Sequence, residues 1–379
     1  MTKHSAIYLD YAAATPVDTA VLEAMRPYWQ DEFFNPSATY ATALAVKKVL
    51  AEARATVAHW FGAKPSEIIF TAGGTEANNL AIHGVMRQFP EGNVVVSAIE
   101  HESVLIPARR YDCREAAVGP DGRLDLDDLR RKIDDKTVLV SVMYANNEVG
   151  TIQPIREIAK LVSEVRRQRG SKGLPLHFHT DACQAANYLD LHVARPGVDL
   201  MSVNGGKIYG PKQSGALYVK AGTRLQPLID GGGQERGLRS GTENVPAIIG
   251  LAAALDKAQS IRHQEVKRLY DLQQYFFKLL ERSIPNIRIN GSGKYRLPNN
   301  IHLTIPGQDN ERLIIQLDEA GIMAAAGSAC GASDEEPSHV LKAIGLNDAE
   351  ARASLRLTMG RGTTEDMVKH CAKVLGEIS

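Results

Sequence analysis

The chain reads as an α/β protein, with a largely parallel sheet crossed by helices and a smaller α+β unit behind it. Three observations lead there. Between about residues 66 and 220, short β-rich runs alternate with helix-patterned stretches, as strands joined by crossover helices do. From Asn244 to Arg282 chain breakers are few and the apolar spacing is helical, so long helical structure leaves the first unit. Beyond Ile284 the pattern mixes strand-like and helical runs at shorter intervals.

In order, the β-rich runs are Glu67–Thr71, Asn93–Ala98, Thr137–Tyr144, Leu176–Thr180, Leu200–Val203 and Gly215–Val219. The helical stretch opens with the apolar Ala247–Leu255 and turns charged after Asp256. In the last third, Ile287–Ile289, Asn300–Ile305 and Ser354–Thr358 read as strands, and Glu311–Ala320 and Thr364–Ile378 as helices. The small-residue run Ala324–Ala329 ends at Cys330. A length of 379 residues exceeds one ordinary core and predicts two domains.

Composition narrows the class of function. Hydrophobic residues at 44% and charged residues at 23% are those of an ordinary globular chain. Lys plus Arg equals Asp plus Glu at 44 each, so no summed field draws the protein to nucleic acid or to an anionic membrane. No apolar run reaches the roughly 18 residues of a membrane span, and Met1–Asp10 lacks a cationic, then apolar, leader pattern. The cytoplasm is the expected compartment. Cys113, Cys183, Cys330 and Cys371 show neither a CxxC pair nor zinc-finger spacing to His, so neither a disulfide framework nor a structural metal is expected.

Several strand ends carry groups with chemical potential. The segment Ile68–Ala77 is a strand, a Gly73-Gly74 turn and a helix start, where free N–H groups and the helix dipole suit a phosphate or make a plain turn. It is not a nucleotide P-loop, since no Gly-x-x-x-x-Gly-Lys-Ser/Thr occurs. Asp181 closes one strand and Lys207 follows another, and the carboxyl ends of parallel strands meet in one crevice. A carboxylate and a lysine there suit pyridoxal 5′-phosphate (PLP), whose pyridine nitrogen takes an anionic partner and whose aldehyde takes an amine. Taken alone they also read as a solvated pair. His101, just past the run ending at Ala98, is placed to stack on a flat cofactor and exchange protons, or to serve structurally. Cys330 lies in Gly327–Ser333, too polar and glycine-rich for a core strand, and reads as a reactive loop thiol or an incidental exposed one. The other three cysteines read as structural.

Together these segments resemble the cysteine desulfurases of the NifS/IscS, or iron–sulfur-cluster, type within the class V aminotransferase family. The likeness runs from Tyr8–Pro16 through Asn35-Pro36-Ser37, the turn at Thr75, Glu100-His101 and Asn146–Gly150. It continues through Asp181–Gln184, Lys207–Lys212, Arg236–Thr242, Cys330 with Glu336-Pro337-Ser338, and Ser354-Leu355-Arg356. The fold it implies is PLP-dependent fold type I. A large domain, 16–258, carries a mainly parallel seven-stranded sheet, and residues 1–15 with 259–379 form a small domain bearing the cysteine loop.

Carried over by residue, the resemblance implies Lys207 as the lysine that binds PLP, Asp181 at the pyridine nitrogen, His101 on the ring and Gln184 at the ring hydroxyl. Gly74, Thr75 and Asn204 would meet the phosphate, with Thr242 reaching in from the second subunit of a homodimer. Asn35, Asn147 and Arg356 would fix the substrate carboxylate, Asn147 also touching the cofactor. The implied reaction removes sulfur from L-cysteine, with Lys207 as base and His101 as proton carrier. It leaves alanine and a Cys330 persulfide that goes to an iron–sulfur scaffold or a tRNA-modification acceptor. No resident metal is expected, though Cys330 is a candidate transient iron–sulfur ligand. Relatives carry His before the lysine and Ser two places earlier, where this chain has Asn204-Gly205-Gly206-Lys207, and Gly where it has Gln213. The competing expectations are a class V enzyme acting on selenocysteine or another amino acid, and a sulfur-relay protein without PLP.

Overall fold

The computed structural model describes residues 6–327 and 337–379. Its strands are β1 (Ile7–Tyr8), β2 (Ile68–Thr71), β3 (Asn93–Ser97), β4 (Asp112–Ala116), β5 (Thr137–Ser141), β6 (His177–Asp181), β7 (Leu200–Asn204), β8 (Gly215–Val219), β9 (Arg288–Ile289), β10 (Asn300–Thr304), β11 (Ile322–Met323) and β12 (Ser354–Thr358). Seven of them form one sheet in the order β2-β8-β7-β6-β5-β3-β4. All neighbours from β7 to β4 are parallel, while β8 runs antiparallel to both β7 and β2. The sheet is therefore mainly parallel with one reversed strand.

Alternating side chains divide the strands between two buried faces. Ile68, Phe70, Val95, Val140, Phe178 and Met201 enter one core, and Ile69, Val94, Val96, Leu139, Leu200 and Leu217 enter another. Burial on both faces is why these strands read as near-continuous apolar runs. The edge strand β4, Asp-Cys-Arg-Glu-Ala, lacks that signature because all its residues but Ala116 stay at least partly exposed, whereas β2 at the other edge is buried throughout. It is the strand the pattern does not reveal. Thr137–Tyr144 leaves the ladder at Ser141, although the N–H groups of Val142 and Tyr144 still donate to His179 and Asp181 carbonyls.

Asn244–Arg282 becomes two helices, Val245–Ser260 and Arg262–Ser283, broken at Ile261. The Asn244 side chain caps the first by accepting the Ala247 N–H. The second buries Leu269, Leu272, Phe276 and Leu280 at helical spacing. These side chains join Ile7, Leu9, β10, β12 and the helix Glu365–Ile378 in a separate core, and β1 pairs in parallel with β11. A fourth cluster seats Val340, Leu341, Ile344 and Leu346 against Ile99, Met143 and Val149, beyond the carboxyl ends of β3 and β5. Among the described residues, no helix is long and apolar enough to cross a membrane.

Candidate active site

Because β2, β3, β5, β6 and β7 point the same way, the chain leaves their carboxyl ends into one crevice. A cavity of about 170 Å³ opens there. Its lining includes Gly74 and Thr75 after β2, His101 after β3, Asn147 after β5, Asp181 at the end of β6 with Gln184 beyond it, and Asn204 at the end of β7 with Lys207 beyond it. Arg356 of β12 closes it from the opposite side.

The glycine turn is built for close approach. Gly73 holds φ +133°, which L side chains rarely adopt, and caps the helix Gly74–Met86. A Cβ on Gly74 would lie 2.6 Å from Cys183 Sγ, so a side chain there would have to displace that thiol. First-turn N–H groups of a helix have no intrahelical partner, and those of Gly74 and Thr75 belong to residues of the cavity wall. Asn204 Oδ1 accepts the Gly206 N–H at 3.0 Å, which leaves its amide nitrogen toward the start of that helix, 3.5 Å from the Gly74 Cβ position.

Asp181 is 6% exposed. Its Oδ1 accepts the Cys183 N–H at 2.8 Å and its Oδ2 accepts Asn78 Nδ2 at 2.7 Å. Lys207 Nζ donates to the carbonyls of Ala12 (2.7 Å) and Ala13 (2.6 Å), and Gln184 Nε2 also donates to Ala12 O. The turn after β1 thus lies over the lysine. Arg356, 1% exposed, donates from Nη2 to Asp10 Oδ1 at 2.7 Å and from Nη1 to Asn147 O at 3.0 Å. Its Nε is buried and has no partner among the described residues. The next two carbonyls of the Asn147 turn are held as well, Glu148 O by Asn300 Nδ2 and Val149 O by Arg296. That turn is rigid because three donors from the C-terminal third grip three successive peptides.

Burial depresses the His101 pKa, with the Lys207 charge adding to the shift and Asp181 opposing it. The imidazole is held neutral. The adjacent Glu100 is fully buried and pushed up to about 8, chiefly by burial, although Ser97 Oγ and the Met143 N–H donate to it. Burial, reinforced by the charge of Asp181, raises the Cys183 thiol well above its ordinary value, so it stays protonated.

The twelve sequence-derived candidates divide as follows. Gly74, Thr75, His101, Asn147, Asp181, Gln184, Asn204, Lys207 and Arg356 line the cavity. Asn35 is not among the lining residues, and its Oδ1 accepts the Ser37 N–H. Thr242 is exposed and likewise off this wall of its own chain. Cys330 lies outside the described residues. Asn78, Ser103 and Cys183 also line the cavity. Sequence signals existed for two of these: Asn78 stands one helical turn after Gly74, and Ser103 stands at the second position of the helix that His101 caps. Among the described residues, no group of three His, Cys, Asp or Glu is placed to hold a metal ion.

This crevice, on this sheet, belongs to a known class. The profile of the family described as Aminotransferase class-V matches residues 7–370, and the chain belongs to that family. The cysteine desulfurase IscS of Dictyoglomus turgidum is 40% identical over 379 residues, covering 98% of this chain and 94% of the relative. A solved NifS-like protein superposes with a TM-score of 0.91 at 30% identity, covering 98% of this chain and 99% of its own. SspA in complex with cysteine superposes at 0.81 and 35% identity, with 93% and 98% covered. The fold is thus the PLP-dependent fold type I of its NifS-like neighbours.

Proposed function

We propose that the protein is a PLP-dependent cysteine desulfurase that takes sulfur from L-cysteine, releases L-alanine and carries the sulfur as a persulfide on Cys330. The observation that carries this reading is the meeting of Lys207, Asp181, His101 and Arg356 around one cavity, from four separate strands, in a chain alignable end to end with cysteine desulfurases. The residues fit PLP. An acceptor-only carboxylate, a lysine amine, a glycine cradle without room for a Cβ and helix-start N–H groups supply the ring, aldehyde and phosphate partners that this cofactor needs.

When bound, PLP supplies an electron sink for the charge left on the substrate α-carbon. This chain's residues do the rest. Arg356, a residue of the cavity wall, holds the substrate carboxylate, and its buried Nε has no partner among the described residues. Lys207 removes the α-proton, and Asp181 stabilises positive charge at the ring nitrogen. The Cys330 thiolate attacks the substrate sulfur, the carbon–sulfur bond breaks, and its electron pair is protonated on the way to alanine. The persulfide then passes to an iron–sulfur scaffold or another sulfur acceptor.

The same reading makes the active unit a homodimer in which Thr242 serves the partner's phosphate site. Its support is the exposure of Thr242 and of apolar side chains early in the chain, with Trp29 at 65% and Phe33 at 67%. It also takes 16–258 as the cofactor domain and 1–15 with 259–379 as the small domain, supported by separate apolar cores.

The test supplies the purified protein with PLP and L-cysteine and measures alanine and sulfide in equal amounts. Cys330→Ser is expected to retain the cofactor's visible absorbance and to lose sulfide and persulfide. Turnover of another amino acid in place of cysteine, or full desulfuration by Cys330→Ser, would overturn the reading.

Gly206 is a second point of test. A Cβ there would meet only Asn204 Oδ1 at 3.5 Å and Lys212 at 3.7 Å, ordinary contacts, so the backbone does not require glycine. The missing imidazole is simply a missing donor. A hydrogen bond to a charged group is worth about 1.5–3 kcal/mol, or roughly tenfold to hundredfold in affinity. Gly206→His is expected to slow PLP loss on dialysis by a factor in that range, followed as residual visible absorbance. Equal retention would show that another donor already completes the phosphate site.

A further inference from the structure

A continuous hydrogen-bonded bridge runs under the cavity from His101 to Asp181. His101 caps the helix Glu102–Ala108, and its Nδ1 accepts the Ser103 backbone N–H at 3.0 Å. Ser103 Oγ lies 2.8 Å from the same nitrogen. Asn78 Nδ2 donates to Ser103 Oγ at 2.9 Å and to Asp181 Oδ2 at 2.7 Å. Asn78 is 1%, Ser103 9% and Asp181 6% exposed, so water does not substitute for these bonds.

The direction of every bond follows from the donors. A backbone N–H cannot accept, so Nδ1 must present its lone pair to Ser103, and the proton of the neutral ring then sits on Nε2. Asn78 spends one amide hydrogen on Ser103 and the other on the carboxylate. Flipping the amide would aim its oxygen at Asp181. The flip is therefore excluded, and the orientation leaves Asn78 Oδ1 buried without a partner among the described residues. An orphaned acceptor costs about 1–3 kcal/mol, which the two donations must offset. Since Ser103 Oγ receives a hydrogen from Asn78, its own hydrogen is free for Nδ1, and such chains strengthen each member.

We infer that Ser103 and Asn78 are positioning residues that lock His101 in its Nε2–H tautomer and tie it to Asp181, so that His101 meets the reacting groups as a hydrogen-bond donor and not as a base. To take up a proton at Nε2 the neutral ring would first have to carry its own proton on Nδ1, facing the Ser103 N–H. Proton abstraction then falls to Lys207. This division of labour rests on the desulfurase reading, whereas the tautomer and the bridge do not.

The protein, labelled with [15N]histidine and studied with and without added PLP, tests both. Long-range 1H–15N correlation, with the His101 signals assigned by their loss in His101→Asn, is expected to show Nε2 protonated and Nδ1 bare in either state. Asn78→Ala, which does not touch His101, is expected to move the Nδ1 resonance toward that of a nitrogen without a hydrogen bond. In a Ser103→Ala background the same substitution is expected to move it no further, and Ser103→Thr is expected to restore the response. A ring protonated on Nδ1, or an Asn78 effect that persists without the Ser103 hydroxyl, would overturn the inference. If Asn78→Ala does not fold, the wild-type tautomer and the Ser103→Ala shift decide. Because the protein without cofactor gives the readout, a failed desulfurase assay leaves this result standing.

Discussion

Lys207→Ala is expected to remove the visible absorbance of the bound cofactor and to reduce alanine and sulfide formation to background. The reason is positional. Lys207 follows the end of β7, directly beside the β6 end that carries Asp181, and its Nζ is already anchored inside the cavity by Ala12 O and Ala13 O. The nearby rival, Lys212, donates instead to Thr15 O at 2.8 Å and is not among the cavity's lining residues. Lys212→Ala is therefore expected to keep the absorbance. Absorbance lost in Lys212→Ala and kept in Lys207→Ala would assign the cofactor to the wrong lysine here.

Arg356→Lys is expected to cut kcat/KM for cysteine by roughly 10² to 10⁴, the value of two charge-assisted hydrogen bonds at about 1.5–3 kcal/mol each. The guanidinium is committed on both ends, to Asp10 and to Asn147 O, and keeps Nε and its remaining Nη hydrogens for a carboxylate. An ammonium sends its three hydrogens from a single nitrogen and cannot reproduce the planar fork that spans these separate partners. The substitution also loosens the buried pair with Asp10, whose side chain is 19% exposed, so thermal stability is measured in parallel. Asp10→Asn separates the effects, because it weakens the pair while leaving the fork, and its kcat/KM is expected to fall far less than that of Arg356→Lys. Equal losses in the two variants would make Arg356 a structural residue only.

Much of the site was legible because parallel strands announce their carboxyl ends. Asp181, Lys207 and His101 each follow a strand-like run, and the rule that such ends share a crevice brings them together from the sequence. The turn at Gly73-Gly74 was legible for a local reason, since the backbone at Gly73 holds a φ that L side chains rarely adopt. Other parts were not legible. β4 is an edge strand and carries no two-sided apolar run. The reversal of β8 leaves no mark on its composition, because a strand covered on both faces looks the same in either direction. Nothing in its spacing distinguished Cys183 from the other cysteines until the sheet set it against Gly74 and the carboxylate of Asp181.

The sequence by itself determined the α/β class, the family likeness and, from their places at strand ends, the lysine, carboxylate and imidazole as candidates for one crevice, because these depend on local pattern and on residue chemistry; the arginine came only from the family likeness. Tertiary structure alone decided who holds whom. Ala12 and Ala13 cover Lys207 from 194 or more residues away, and Asp10 pairs with Arg356 across 346. Asn78 bridges 103 residues to Asp181. Such bonds join side chains to whatever the packed strands bring near them, and no spacing along the chain encodes a partner that only the closed sheet supplies.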